Sequence, residues 1–160
     1  MYDSILVPTD GSTQAMYAAE EAIRLAAELE ATVHALYVVD AFEAKIVPIT
    51  KEEDGKRDEY EAYGADVTGE VAEMAEDAGV ECVTAVRDGV THDQIASYVD
   101  ENDVELVVMG SRGLTNIEEM LLGSTADKVI RSVEVPVTVV HKQPNENLDW
   151  MIRGADTVHG

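Results

Sequence analysis

Short apolar runs alternate with amphipathic helical patterns along this chain, and that alternation restricts it to a largely parallel sheet covered by helices. Ile5 to Pro8 is a short apolar strand closed by Thr9-Asp10-Gly11-Ser12. From about Ser12 to Glu30, Met16, Ala19, Ile23, Ala26 and Ala27 give a helix one small apolar face, which implies close packing on the sheet. Thr32 to Val39 is a second strand, rich in β-branched and apolar residues. Residues 41–57 break the rhythm with Pro48, a charged run and Gly55, and read as a long connection. A helix from about Asp58 to Ala78 then stops at Gly79, and Val80 to Val86 is the third strand. Thr91 and Gln94 have the spacing of a capping box, opening a helix that runs to about Asn102. Val104 to Met109, apolar on both faces, is a central fourth strand. Ser124 and Asp127 repeat the cap spacing for a helix to about Val133, and Pro136 to Val140 is the fifth strand. The expected fold is therefore α/β: a doubly wound, five-stranded parallel sheet with helices on both faces, Rossmann-like, in strand order 3-2-1-4-5.

A chain of 160 residues suits one domain, expected over residues 1–142, followed by a tail over 143–160 that contains Leu148, Trp150, Met151 and Ile152. The single cysteine, Cys82, permits no intrachain disulfide and reads as a small buried apolar residue. The four histidines show no metal-ligand spacing. Asp and Glu number 33 against 11 Lys and Arg, a formal net charge of -22, so nucleic acid and anionic membrane surfaces are repelled and are not expected as partners. Such a balance resembles proteins of a salt-rich cytoplasm, where screening contracts to about 3 Å at 1 M salt. Met1 to Ser4 leads directly into the first strand without a leader pattern, and no apolar run approaches the roughly 20 residues of a membrane span. A soluble, cytoplasmic protein is expected.

The richest chemical signal lies between the fourth and fifth strands. Gly110 and Gly113 are separated by two residues, and Gly123 follows nine residues later with Ser124 and Thr125 behind it. Glycines let backbone amides approach an anion, and a hydroxyl-rich helix start adds donors and the positive end of a dipole. In a doubly wound sheet the first and fourth strands would be neighbours where the strand order reverses, so Thr9-Asp10-Gly11-Ser12 would face Gly110 to Gly113 across one crevice. No G-x-G-x-x-G follows the first strand and no G-x-x-x-x-G-K-[ST] is present, which argues against dinucleotide and Walker-type loops. Asp10 beside a phosphate chain would be repulsive without a cation between them, and Mg²⁺ commonly joins one or two carboxylates to phosphate oxygens. Arg112, inside the loop, would add a charged donor or point to solvent.

These residues resemble the universal stress protein family in its ATP-binding branch. The likeness covers about Met1 to Val140 and rests on Gly110, Gly113, Gly123 and Ser124, with Val7 to Ser12, Val38 to Asp40 and the late Pro136 to Val140 strand in support. It implies ATP with adenine near Pro8, Thr9 and Val39, ribose and phosphates near Asp10 and Gly110, and the phosphate tail on Gly113, Gly123, Ser124 and Thr125. Met109, Ser111 and Arg112 complete that set, with Asp10 as the Mg²⁺ residue. The resemblance also implies a homodimer paired through Pro136 to Val140 and a regulatory role read by an unidentified protein partner. An apolar edge strand independently favours such pairing.

Other readings of the same residues stand beside this one. Ser124, Thr125 and Asp10 serve equally well as helix caps, Tyr60 and Tyr63 as core or interface, and Glu118 and Glu119 as solvent-facing charges. No nucleophile, base and stabiliser form a matched set, so no catalytic residue is assigned. The alternatives are a slow Mg²⁺-dependent ATPase or phosphotransferase, or an interaction protein with a vestigial pocket.

Overall fold

The computed structural model describes residues 2–40, 51–111 and 122–141, with side chains in the second span from residue 55 onward. Its elements follow in the order β1 (Ser4–Pro8), α1 (Thr13–Leu29), β2 (Thr32–Val39), α2 (Lys51–Asp77), β3 (Cys82–Asp88), α3 (Thr91–Glu101), β4 (Leu106–Gly110), α4 (Ser124–Ser132) and β5 (Val137–Val140). The strands form one parallel sheet in the order β3-β2-β1-β4-β5, as expected.

The pleat of the sheet divides the core in two. Ile5 and Val7 of β1, with Leu106 and Val108 of β4, pack with Ala18, Ala19, Ala22 and Ala26 of α1 and with Val71 and Ala75 of α2. Leu6, Val107 and Met109 point the other way, onto Ile95, Tyr98 and Val99 of α3 and Ala126 and Val129 of α4. The alanines of α1 lose little side-chain entropy on burial and let the helix lie close to the strands.

Boundaries depart from the sequence reading where distant contacts decide them. α2 begins at Lys51, so the second half of the 41–57 connection is helix, while residues 41–50 lie outside the described residues. Lys, Glu and Arg are good helix formers, and Arg57 is paired with Asp88 at the end of β3. At the other end Gly79 stops the helix as expected: its φ is +73°, and the Val80 amide reaches back to the Ala75 carbonyl at 2.8 Å. That bond ties Val80 to the helix, so β3 starts two residues later than its apolar pattern suggests. Cys82 is half-buried rather than fully buried, because β3 is an edge strand; burial still pushes its thiol up.

The two expected capping boxes do not form. α3 starts with Val90 as its cap residue and no side-chain cap from within its own turn. Asp40, just past β2, accepts instead from the Thr91 amide at 3.0 Å, and the Thr91 hydroxyl donates to the same carboxylate oxygen at 3.1 Å. A carboxylate at this end also suits the helix dipole. α4 likewise starts from Gly123, with Ser124 already inside the helix. Asp40→Ala is expected to lower stability by about 1–2 kcal/mol, the usual cost of losing a cap, as measured by urea denaturation.

Candidate functional site

The strand order reverses between β1 and β4, and the polar ends of both strands meet there. Chain geometry locks the β1 side. The Thr9 amide donates to the Leu36 carbonyl of β2 at 2.9 Å, which fixes the strand end. Thr9 Oγ1 accepts from the Gly11 amide at 3.1 Å, and Asp10 Oδ1 accepts from the Ser12 amide at 2.9 Å. Ser12 Oγ then caps α1 by accepting from the Ala15 amide at 3.1 Å. Asp10 therefore shapes the turn, and Ser12 is the helix cap. Pro8 and Asp10 are half-buried, whereas Thr9 is buried.

On the β4 side, Gly110 lies so close to α1 that a Cβ would come within 3.0 Å of the backbone carbonyl of Gln14. Gln14 is itself buried, and its Oε1 has no hydrogen-bond partner among the described residues. Ser111, also buried, is the junction of three elements. Its amide donates to the Val140 carbonyl of β5 at 3.0 Å, and its carbonyl accepts from the Gly123 amide at 2.6 Å. This second bond brings the start of α4 back to the end of β4. The first intrahelical bond of α4 runs from the Asp127 amide to the Gly123 carbonyl at 3.0 Å. The amides of Ser124, Thr125 and Ala126 consequently precede the helical ladder and form its positive end. Ser124 is exposed and Thr125 half-buried, so both hydroxyl-bearing residues reach the surface.

Pro8, Thr9, Asp10, Gly110, Ser111, Gly123, Ser124 and Thr125 thus gather around one strand-end region. Met109 and Val39 hold neighbouring strand ends, but their side chains are buried in the core, Met109 toward α3 and α4 and Val39 beside Tyr37 and Val67. Arg112 and Gly113 lie outside the described residues, as do Glu118 and Glu119. Among the described residues no group of three or more His, Cys, Asp or Glu could hold a metal ion. The donor set at this end instead combines amides, hydroxyls and the carboxylate of Asp10, which suits a phosphate with a shared hard cation better than a resident metal.

A residue outside the strand ends joins the site. Tyr63 of α2 donates its hydroxyl to the Asp10 carbonyl at 2.6 Å. Its neighbour Tyr37 has its phenol pushed up to about 12, first by burial and then by Tyr63, Tyr60 and Asp10. Sequence spacing places Tyr63 one turn before Val67 on α2, which signals a packed residue but carries no hint of the Asp10 carbonyl.

A family model described as the Universal stress protein family matches residues 1–141. The chain belongs to the universal stress protein family. Universal stress protein MJ0531 of Methanocaldococcus jannaschii is 36% identical over 146 residues, covering 91% of this chain and 86% of the relative. The solved structure of the M. jannaschii protein MJ0577 is 30% identical, covers 91% of this chain and 99% of its own, and superposes with a TM-score of 0.80. A universal stress protein solved in complex with cAMP is 25% identical, with coverage of 89% and 99% and a TM-score of 0.69. The matched span of this universal stress protein includes every element from β1 to β5. Among the described residues, no helix is long and apolar enough to cross a membrane.

Gly110→Ala is expected to destabilise the protein by about 1–3 kcal/mol in urea denaturation, because the new methyl meets backbone of α1 rather than a side chain that can turn away.

Proposed function

We propose that this universal stress protein binds ATP with Mg²⁺ in the crevice between the β1 and β4 ends and acts as a nucleotide-dependent regulator. The observation that carries the reading is the Ser111–Gly123 backbone bond, which sets the open amides of α4 beside the strand switch point. The relative solved with cAMP supports a nucleotide as the ligand class. In this reading Pro8, Thr9 and Val39 line the adenine end, while Asp10 and Gly110 stand at the ribose and phosphates. Gly113, Gly123, Ser124 and Thr125 take the phosphate tail, with Met109, Ser111 and Arg112 around them. Asp10 would share Mg²⁺ with phosphate oxygens, which offsets the repulsion between its carboxylate and the ligand.

Isothermal calorimetry is expected to give ATP binding that weakens on adding EDTA, and Asp10→Ala is expected to remove that sensitivity. Binding indifferent to both EDTA and the substitution would refute the metal bridge. No binding at all would leave the interaction-protein reading, and turnover abolished in Asp10→Ala would favour the slow ATPase or phosphotransferase.

We also propose a homodimer through the last strand, Pro136 to Val140. β5 is an edge of the sheet, with Val137, Val139 and Val140 half-buried in the single chain. A second copy would pair the outer hydrogen-bonding groups and cover these side chains. The occupied dimer would then offer its nucleotide state to a regulatory protein partner. Multi-angle light scattering at micromolar concentration should return twice the 17.4 kDa chain mass; a monomer alone would rule the pairing out.

A further inference from the structure

At the end of the sheet that carries the proposed site, α2 meets the β1–α1 turn through one glycine notch and β2 through another. Gly11 has a φ of +82°, and a Cβ there would fall 2.2 Å from Tyr63 Oη, so the phenol occupies space that a side chain would fill. Tyr63 uses that approach to donate to the Asp10 carbonyl. In the opposite direction, a Cβ on Gly64 would fall 2.4 Å from the Tyr37 ring. The Tyr37 and Tyr63 rings meet edge to face with centroids 5.5 Å apart. Burial, then the charges of Asp10 and Glu70, raises the Tyr63 phenol.

The helix changes character at this contact. From Gly64 onward, Gly64, Val67, Thr68, Val71 and Ala75 are buried against the sheet. Between Gly55 and Tyr63 no residue is buried, and only Arg57 and Tyr60 are half-buried. Arg57 adds its ion pair with Asp88, but partly exposed pairs hold weakly. A half-helix with so little buried apolar surface opens more readily than the half that packs on the sheet.

We propose that Tyr63 is a positioning residue of the nucleotide site: its hydroxyl holds the Asp10 carbonyl, fixes the turn that presents Thr9 and Asp10, and couples the first half of α2 to occupancy. This rests on the nucleotide reading above. Coupling of two equilibria is reciprocal. If a docked Tyr63 favours the binding form of the turn, bound nucleotide favours docking of residues 55–63. The exposed helix segment becomes the part of the surface whose order reports the ligand.

Amide hydrogen exchange, followed by mass spectrometry with and without ATP and Mg²⁺, tests this alongside calorimetry on the same samples. In the wild-type protein, ATP is expected to slow exchange in residues 55–63. Tyr63→Phe should bind ATP about two- to tenfold more weakly, the equivalent of one hydrogen bond. At saturating ATP it should lose most of that slowing. A merely structural hydroxyl would speed exchange equally in both states and leave affinity unchanged, and that result overturns the proposal. Wild-type protein that binds ATP without slowing residues 55–63 overturns it too, while leaving the nucleotide reading intact. Absence of ATP binding to the wild type removes both.

Discussion

β1 is the constraint from which the rest of the molecule follows. It is hydrogen-bonded to β2 along one edge and β4 along the other, and Ile5, Leu6 and Val7 are 0% exposed. A strand in that position must be apolar on both faces and must have helices on both sides of the sheet. Because all the strands are parallel, their carboxyl ends gather on one side of the molecule, and every polar strand end is delivered there. The chain moves outward from β1 to β2 and β3, and from β4 to β5 in the other direction. The meeting of polar strand ends is thus a product of how the sheet is wound, and the residues gathered there give it chemistry.

Much of this was legible in local pattern. The β2 range and the stop at Gly79 agree with the sequence reading because each is set by residues within the element: a β-branched run in one case, a left-handed glycine in the other. Thr91 and Ser124 have the spacing of caps but lie inside their helices, because that spacing registers only neighbours in sequence. The actual partner of Thr91 sits on a different strand end, and α4 is entered through Gly123, which has no side chain to cap with. The early start of α2 was hidden for a related reason. Residues 51–57 are Lys, Glu, Glu, Asp, Gly, Lys and Arg, so they carry no apolar period from which a helix could be read.

The site divides along the same line. The glycine spacing pointed to the β4 end and the start of α4, and the turn after β1 identified itself through Thr9, Asp10 and Gly11. What it could not supply is the carbonyl of Asp10 as a contact point, since every residue has one and only the packing of α2 selects it. Gly11 and Gly64 are similar in kind. Each reads as a break or a weak helix position in sequence, yet in space each is the recess that admits a tyrosine from another element.

The cap that α3 borrows from Asp40 has a consequence for how the chain folds. Donor and acceptor are separated by 51 positions, so the helix receives its start signal only after β2 has been placed. An isolated peptide of α3 would lack it and fray from that end. The bond therefore ties a local element to long-range assembly, and contacts of high sequence separation form at a large cost in chain entropy before they return any stability. Opening of the β2 end removes the cap from the first turn of α3, which couples the two elements across 51 positions of chain.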